Sequence, residues 1–335
     1  MNEELDQKSL KRVRQAIFLL FFCQGLCFSS WASRIADIKT SLELDDAAWG
    51  TILLMIPVGQ ICGMTLSGLL VSRLGSKRIL PVVIVCYTLA LLLIGLSSGQ
   101  YSLIISLIIF GFFGNFCNIS VNTQGTAIET LYNRPIMASF HGGWSLAGLT
   151  GAAIGLLMTT IGIKPLYHFC IVTVIDLITL FTNIKYLQPD IKKQKTAEEI
   201  AAKKKNKPET FLYLLGIVAF CGMAAEGAMS DWSGLYLKDI VGIAEKYAPA
   251  GLLAYMITMT TGRFIVDKAT QHFGRKRVLQ CGGLLISAGL FLAVALPYLP
   301  TTIIAFMVIG LGTSSIVPTI YSVAGHKTKI STGMA

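Results

Sequence analysis

The sequence predicts an all-α polytopic membrane protein, and three observations carry that reading. Of 335 residues, 53% are hydrophobic and 14% are charged, where a soluble domain carries about 25% charged residues. Apolar runs of about 20 residues recur along the chain, the length a helix needs to cross a bilayer. Basic residues gather in alternate connecting loops, which is how a multi-pass chain fixes its orientation. Backbone groups in lipid must pair within the structure, so spans are helices or closed barrels. The runs are continuously apolar rather than alternating, which selects helices.

Ten spans are expected, at 16–35, 48–71, 79–97, 102–126, 136–161, 166–187, 210–238, 247–267, 278–297 and 301–323. A charged start (Glu3, Glu4, Asp6, Lys8, Lys11, Arg12, Arg14) precedes the first. No small-residue cleavage pattern follows it, so the first span reads as a retained helix. The net charge of +10 would by itself suit nucleic-acid or lipid binding, but its distribution is a topology signal. Arg73, Lys77, Arg78, Arg134, the lysines of the 188–208 linker, Lys268, Arg275, Lys276, Arg277, Lys327 and Lys329 fall on the N-terminal side. The other side holds only Arg34, Lys39, Lys164, Lys238 and Lys246. The positive-inside rule places the first set and the N-terminus in the cytoplasm, with the bilayer as partner and no nucleic acid. The linker reads as a solvated connector, with a headgroup-lying helix over Thr196–Lys204 as the alternative. Eight cysteines all lie in apolar spans without a CxxC pair and read as packing residues.

The halves echo each other. Ser29–Ile38 around Trp31 pairs with Ser230–Ile240 around Trp232, and Gly75-Ser-Lys77-Arg78 pairs with Gly274-Arg275-Lys276-Arg277. The offset is about 200 residues in one orientation, a parallel repeat. The expected domains are a six-helix bundle at 1–187, a cytoplasmic linker at 188–208, and a second bundle at 209–335. The fifth span begins near Ile136, so its partner would begin beyond Ala335. Two C-terminal helices are therefore expected to be missing, a native ten-helix protein being the alternative.

The segment Gly68-Leu-Leu-Val-Ser72-Arg73-Leu-Gly75-Ser76-Lys77-Arg78 resembles the loop between helices 2 and 3 of the major facilitator superfamily, Gly-x-Leu-x-Asp-Arg-x-Gly-Arg-Lys/Arg. Its echo is Gly262-Arg263, Asp267 and Gly274-Arg275-Lys276-Arg277; Ser72 replaces the aspartate of the first copy. Ser30–Ile35, Asn122-Thr-Gln124, Phe140–Ser145 and Glu226–Ser233 resemble a bacterial subgroup related to the fucose-permease-like transporters. The resemblance implies two six-helix bundles, with helices 1, 4, 7 and 10 lining a central cavity. It also implies a gating role for Gly68, Arg73, Gly75, Lys77, Arg78, Arg263, Asp267, Gly274, Arg275 and Lys276. Acids and arginines at facing helix ends suit that role, since their ion pairs hold one face closed; topology anchoring is the plainer account.

The polar residues agree with that arrangement. Asn115, Asn118 and Asn122 recur at i, i+3 and i+7, one face of the fourth span. Amides both donate and accept, which suits hydroxyl-rich solutes, although they also tie helices together. Gln24 and Trp31 of the first span, Trp232 of the seventh and Ser315 of the tenth complete the expected solute-binding set. Glu226 sits mid-span in the seventh helix and Asp231 follows it. An acid inside a span is costly, at roughly 2.5–3.5 kcal/mol, and reads as functional. Both are candidates for proton coupling, a structural neutral acid being the alternative. Arg34 is placed to pair with Asp231 or to snorkel to water. Asp176 has no account at this level.

No GxSxG, Walker loop, HExxH or metal-ligand cluster occurs, so neither an enzyme nor a cofactor is expected. The expected function is secondary transport of a small polar solute, a sugar or derivative, across a bacterial inner membrane, coupled to protons. An exporter of amphipathic compounds and a non-transporting receptor are the alternatives.

Overall fold

A computed structural model describes residues 7–132, 136–189 and 210–327. Among these there is no strand. The long helices are α1 (Gln7–Ala32), α4 (Met55–Leu74), α5 (Ser76–Gly95), α6 (Gln100–Tyr132), α7 (Met137–Thr160) and α8 (Pro165–Asn183). They continue with α9 (Thr210–Leu235), α10 (Ala250–Phe273), α11 (Arg275–Ala295) and α12 (Leu299–Lys327). Two short helices, α2 (Ile35–Ser41) and α3 (Asp46–Leu53), complete the set.

Each expected span has its helix, with instructive differences. The first begins at Gln7 rather than 16, because a helix continues into polar turns that an apolarity reading leaves out. The second is α3 and α4, separated at Leu54 and opened by Asp45, whose side chain accepts the Ala48 N–H at 2.7 Å. The loop after the first span contains α2, buried through Ile35, Ala36 and Ile38. The seventh ends in a π-helical turn, Tyr236–Ile240. Nine helices among the described residues are long and apolar enough to cross a membrane. Ala250–Phe273 falls outside that set, since it carries Arg263, Asp267 and Lys268.

The chain divides into two compact units, Met1–Ile191 with Ala244–Ala250, and Lys192–Ile243 with Gly251–Ala335. The 188–208 linker lies outside the described residues beyond 189. In the first unit α1 packs on α7: Ser29 Oγ donates to the Gly148 carbonyl at 2.6 Å, and Gly151 faces Ser29. Helices α4 and α6 cross closely, and a Cβ on Gly111 would lie 2.2 Å from the Ile56 carbonyl oxygen. Trp31 and Trp49, both fully buried, pack ring to ring at 6.2 Å. In the second unit α10 crosses α12 as closely, and a Cβ on Gly310 would lie 2.3 Å from the Tyr255 carbonyl oxygen. Helix α9 meets α12 through Leu215, Ile316 and Ile320.

Gly75 and Gly274 are each a whole interhelical loop. Their φ, ψ values are 87°, 142° and 82°, 153°, a region open in practice only to glycine. Each ends one helix, its N–H bonded to the carbonyl four residues back at 3.0 Å, and starts the next.

Candidate functional site

The second unit holds an ion pair inside its spans. Glu226 of α9 faces Arg263 of α10, with Arg263 Nη2 3.4 Å from Glu226 Oε1; the Arg263 and Glu226 side chains are 17% and 19% exposed. Ser230 Oγ donates to the Glu226 carbonyl at 3.0 Å. Tyr255 lies two turns before Arg263 on the same helix face, fully buried, its hydroxyl 3.0 Å from Thr313 Oγ1 of α12. Three helices thus contribute two polar pairs, Glu226 with Arg263 and Tyr255 with Thr313. Each alone would be costly in lipid, and the opposite charges offset one another. The i, i+4, i+8 spacing of Tyr255, Met259 and Arg263 was the sequence signal for this face. Arg263, expected in the gating set, stands against Glu226.

The other expected residues distribute as follows. Asp231 is partly buried and has no ion pair among the described residues; Trp232 is 38% exposed. Ser315 is buried and faces α11, where it crowds Gly282, while its neighbour Ile316 faces α9. Ser314 and Ser315 edge a cavity of about 1080 Å³ shared with Gly262, Ile265, Val266 and Leu311. Its wall is apolar, so Ser315 belongs to the helix packing and not to the charged cluster.

In the first unit the asparagine stripe divides. Asn115 accepts from Ser67 Oγ at 3.0 Å, tying α6 to α4. Asn118 is exposed, and Asn122 Nδ2 donates to both its carbonyl and its side-chain oxygen at 2.8 Å. Those two amides remain open to a solute. Gln24 Oε1 is buried with no hydrogen-bond partner among the described residues. Trp31 does not join them: it is core, because Trp49 from α3 covers it. Gln124, by contrast, is a staple, donating to Ser76 Oγ and the Gln188 carbonyl at 2.7 Å and accepting the Gln188 N–H at 2.9 Å. Glu129 accepts the N–H groups of Ile136 and Met137 at 2.7 and 2.8 Å, holding the start of α7.

Arg34 pairs with Asp37 at 2.6 Å and donates to the Ile163 carbonyl at 2.5 Å. Burial lowers its guanidinium pKa while Asp37 raises it. The pairing with Asp231 considered above is replaced by this local one, since Asp37 is one turn away. At the loops, Arg73, Lys77, Arg78 and Lys276 are exposed and Arg275 half-exposed, with no ion pairs among the described residues. Gly68 has open space where a Cβ would go. Gly75 and Gly274 act through their backbone. The side chain of Asp267 lies outside the described residues. No group of three metal-ligating side chains occurs among the described residues.

A bundle of helices long and apolar enough to span a membrane, with an ion pair among them, fits a membrane transporter. A family model, the Major Facilitator Superfamily, matches residues 17–335, and the chain belongs to that family. An uncharacterized MFS-type transporter of Yersinia pestis is 29% identical over 317 residues, covering 95% of this chain and 81% of its own. Among solved structures, a bacterial homolog of the human lysosomal transporter Spinster, inward-facing and unoccupied, gives a TM-score of 0.75 at 14% identity, covering 98% of this chain and 78% of its own. The nucleoside transporter NupG gives 0.71 at 11% identity, covering 96% and 84%. At these identities the solved structures establish the fold.

Proposed function

We propose that this transporter imports a small polar solute, a sugar or sugar derivative, across the bacterial inner membrane by alternating access, coupled to protons through Glu226. The observation that carries this is the Glu226–Arg263 pair. A proton arriving on Glu226 cancels its charge and releases Arg263, so protonation changes the electrostatics that join α9 to α10. Asp231, on the same helix and without an ion pair among the described residues, is the second proton candidate. Asn118, Asn122, Gln24 and Trp232 are the groups proposed to meet the solute, the amides through paired donors and acceptors. The likeness to a nucleoside transporter, whose cargo carries a hydroxylated sugar, supports the solute class without identifying it. The loop charges support a cytoplasmic N-terminus. Arg73, Lys77, Arg78, Arg275 and Lys276, without an ion pair among the described residues, are proposed to engage when the basic face closes.

The test is flux in liposomes carrying a pH dye, with sugars and nucleosides added outside. The expected result is internal acidification with one solute, abolished in Glu226→Gln, while tracer exchange of that solute survives. Acidification unchanged in Glu226→Gln would remove that residue from the coupling role. Tracer uptake with no pH change would overturn proton coupling. Binding without flux would favour a receptor.

A further inference from the structure

Helix α1 presents Lys11, Arg14, Gln15 and Phe18 at i, i+3, i+4 and i+7, one face of its first turns. Together with Leu19 and Tyr132 they line a cavity of about 610 Å³. Arg14 is held in place: its Nη2 donates to Ser139 Oγ at 3.3 Å, and its guanidinium carbon sits 5.8 Å from the centre of the Tyr132 ring. A guanidinium has five N–H donors, and this contact uses one. The remainder and the Lys11 ammonium form a cationic end, with no carboxylate among the described lining residues. One turn deeper the wall becomes apolar, through Phe18 and Leu19, the latter 39% exposed.

We infer that this cavity binds the phosphate of an anionic phospholipid, with an acyl chain along Phe18 and Leu19. A free anion would use the cations and leave the apolar wall unexplained. A lipid uses both, and it meets the site at the end of the bundle where basic side chains and hydrocarbon adjoin. Arg suits the task because its planar fork matches phosphate oxygens, and the Tyr132 ring and Ser139 hold it beside the cavity.

The inference is independent of transport and is tested by binding. Native mass spectrometry of the purified protein, equilibrated with equal amounts of phosphatidylglycerol and phosphatidylcholine, reads which lipid is retained. Retention should favour phosphatidylglycerol, and Lys11→Gln and Arg14→Gln should each reduce that preference roughly fivefold. Arg12→Gln, exposed and outside the cavity, should leave it unchanged. Should Arg14→Gln fail to fold for want of its Ser139 contact, Lys11→Gln carries the comparison alone. Unchanged preference in Lys11→Gln, or an equal loss in Arg12→Gln, would overturn the site. Displacement of the lipid by tail-less glycerophosphoglycerol or by inorganic phosphate at matching concentration would overturn the lipid and leave a soluble-anion site.

Discussion

The two units share a backbone plan and differ in where they place charge. At a common offset of about 200 residues, Gly111 lies beneath the Ile56 carbonyl and Gly310 beneath that of Tyr255, while Gly75 and Gly274 make the same one-residue turn. The plan admits variation even at a close crossing. Gly59 sits under the Ile108 carbonyl, but the matching Thr258 donates its hydroxyl to the Met307 carbonyl at 2.6 Å. Counted along the same offset, the Glu226–Arg263 pair corresponds to Cys27 and Met64, neither of them charged. The first unit keeps its buried acid elsewhere, at Asp176 of α8, 1% exposed. Its carboxylate oxygens have no hydrogen-bond partner within normal distance among the described residues, and the Cys23 thiol is its polar neighbour. Sterics dictated the repeat, whereas charge was free to settle in one unit with a partner and in the other without a cation.

That contrast can be broken in four ways, the largest effect first. Arg263→Met leaves Glu226 unpaired and should cost about 2–4 kcal/mol, somewhat below a fully buried pair. Adding Glu226→Gln should restore most of it, as read from thermal unfolding midpoints; a double variant as unstable as the single would deny the pairing. Gly111→Ala and Gly310→Ala push a methyl into a carbonyl oxygen, and each should cost about 2–3 kcal/mol. Unequal losses would mean the two crossings are not equivalent. Gly75→Ala and Gly274→Ala strain the backbone by about 1–2 kcal/mol each, with matched shifts in melting temperature expected. Asp176→Asn should change stability by less than about 1 kcal/mol, because no cation is left behind. A loss as large as that of Arg263→Met would show that a partner had been removed.

Much of this was legible in the chain. Ten apolar runs became ten helical segments, since a helix in lipid must satisfy its own backbone and no neighbour is needed to decide that. The glycines of the one-residue turns were legible as a motif, and their positive φ values account for them through the backbone alone. Site residues were harder to read. Asn115 and Trp31 looked like cavity residues, yet Ser67 and Trp49 occupy them, and neither contact leaves a trace in sequence spacing. Arg263 was read inside a span and assigned to the gating echo, because nothing in sequence spacing shows that Glu226, 37 residues earlier, faces it. Tyr255 went unread since its importance depends on Thr313 meeting it from another helix.

By itself the sequence determined the all-helical membrane class, the order of the helices, the repeat and the asymmetry of basic loops. These follow from hydrophobic length, from backbone hydrogen bonding and from the charge of short segments, all local properties. Only the tertiary structure decided that Glu226 faces Arg263, that Arg34 turns to Asp37, and that Asp176 stands without a cation. Which side chains meet across helices depends on rotation and depth, and those are set by packing between residues far apart in the chain.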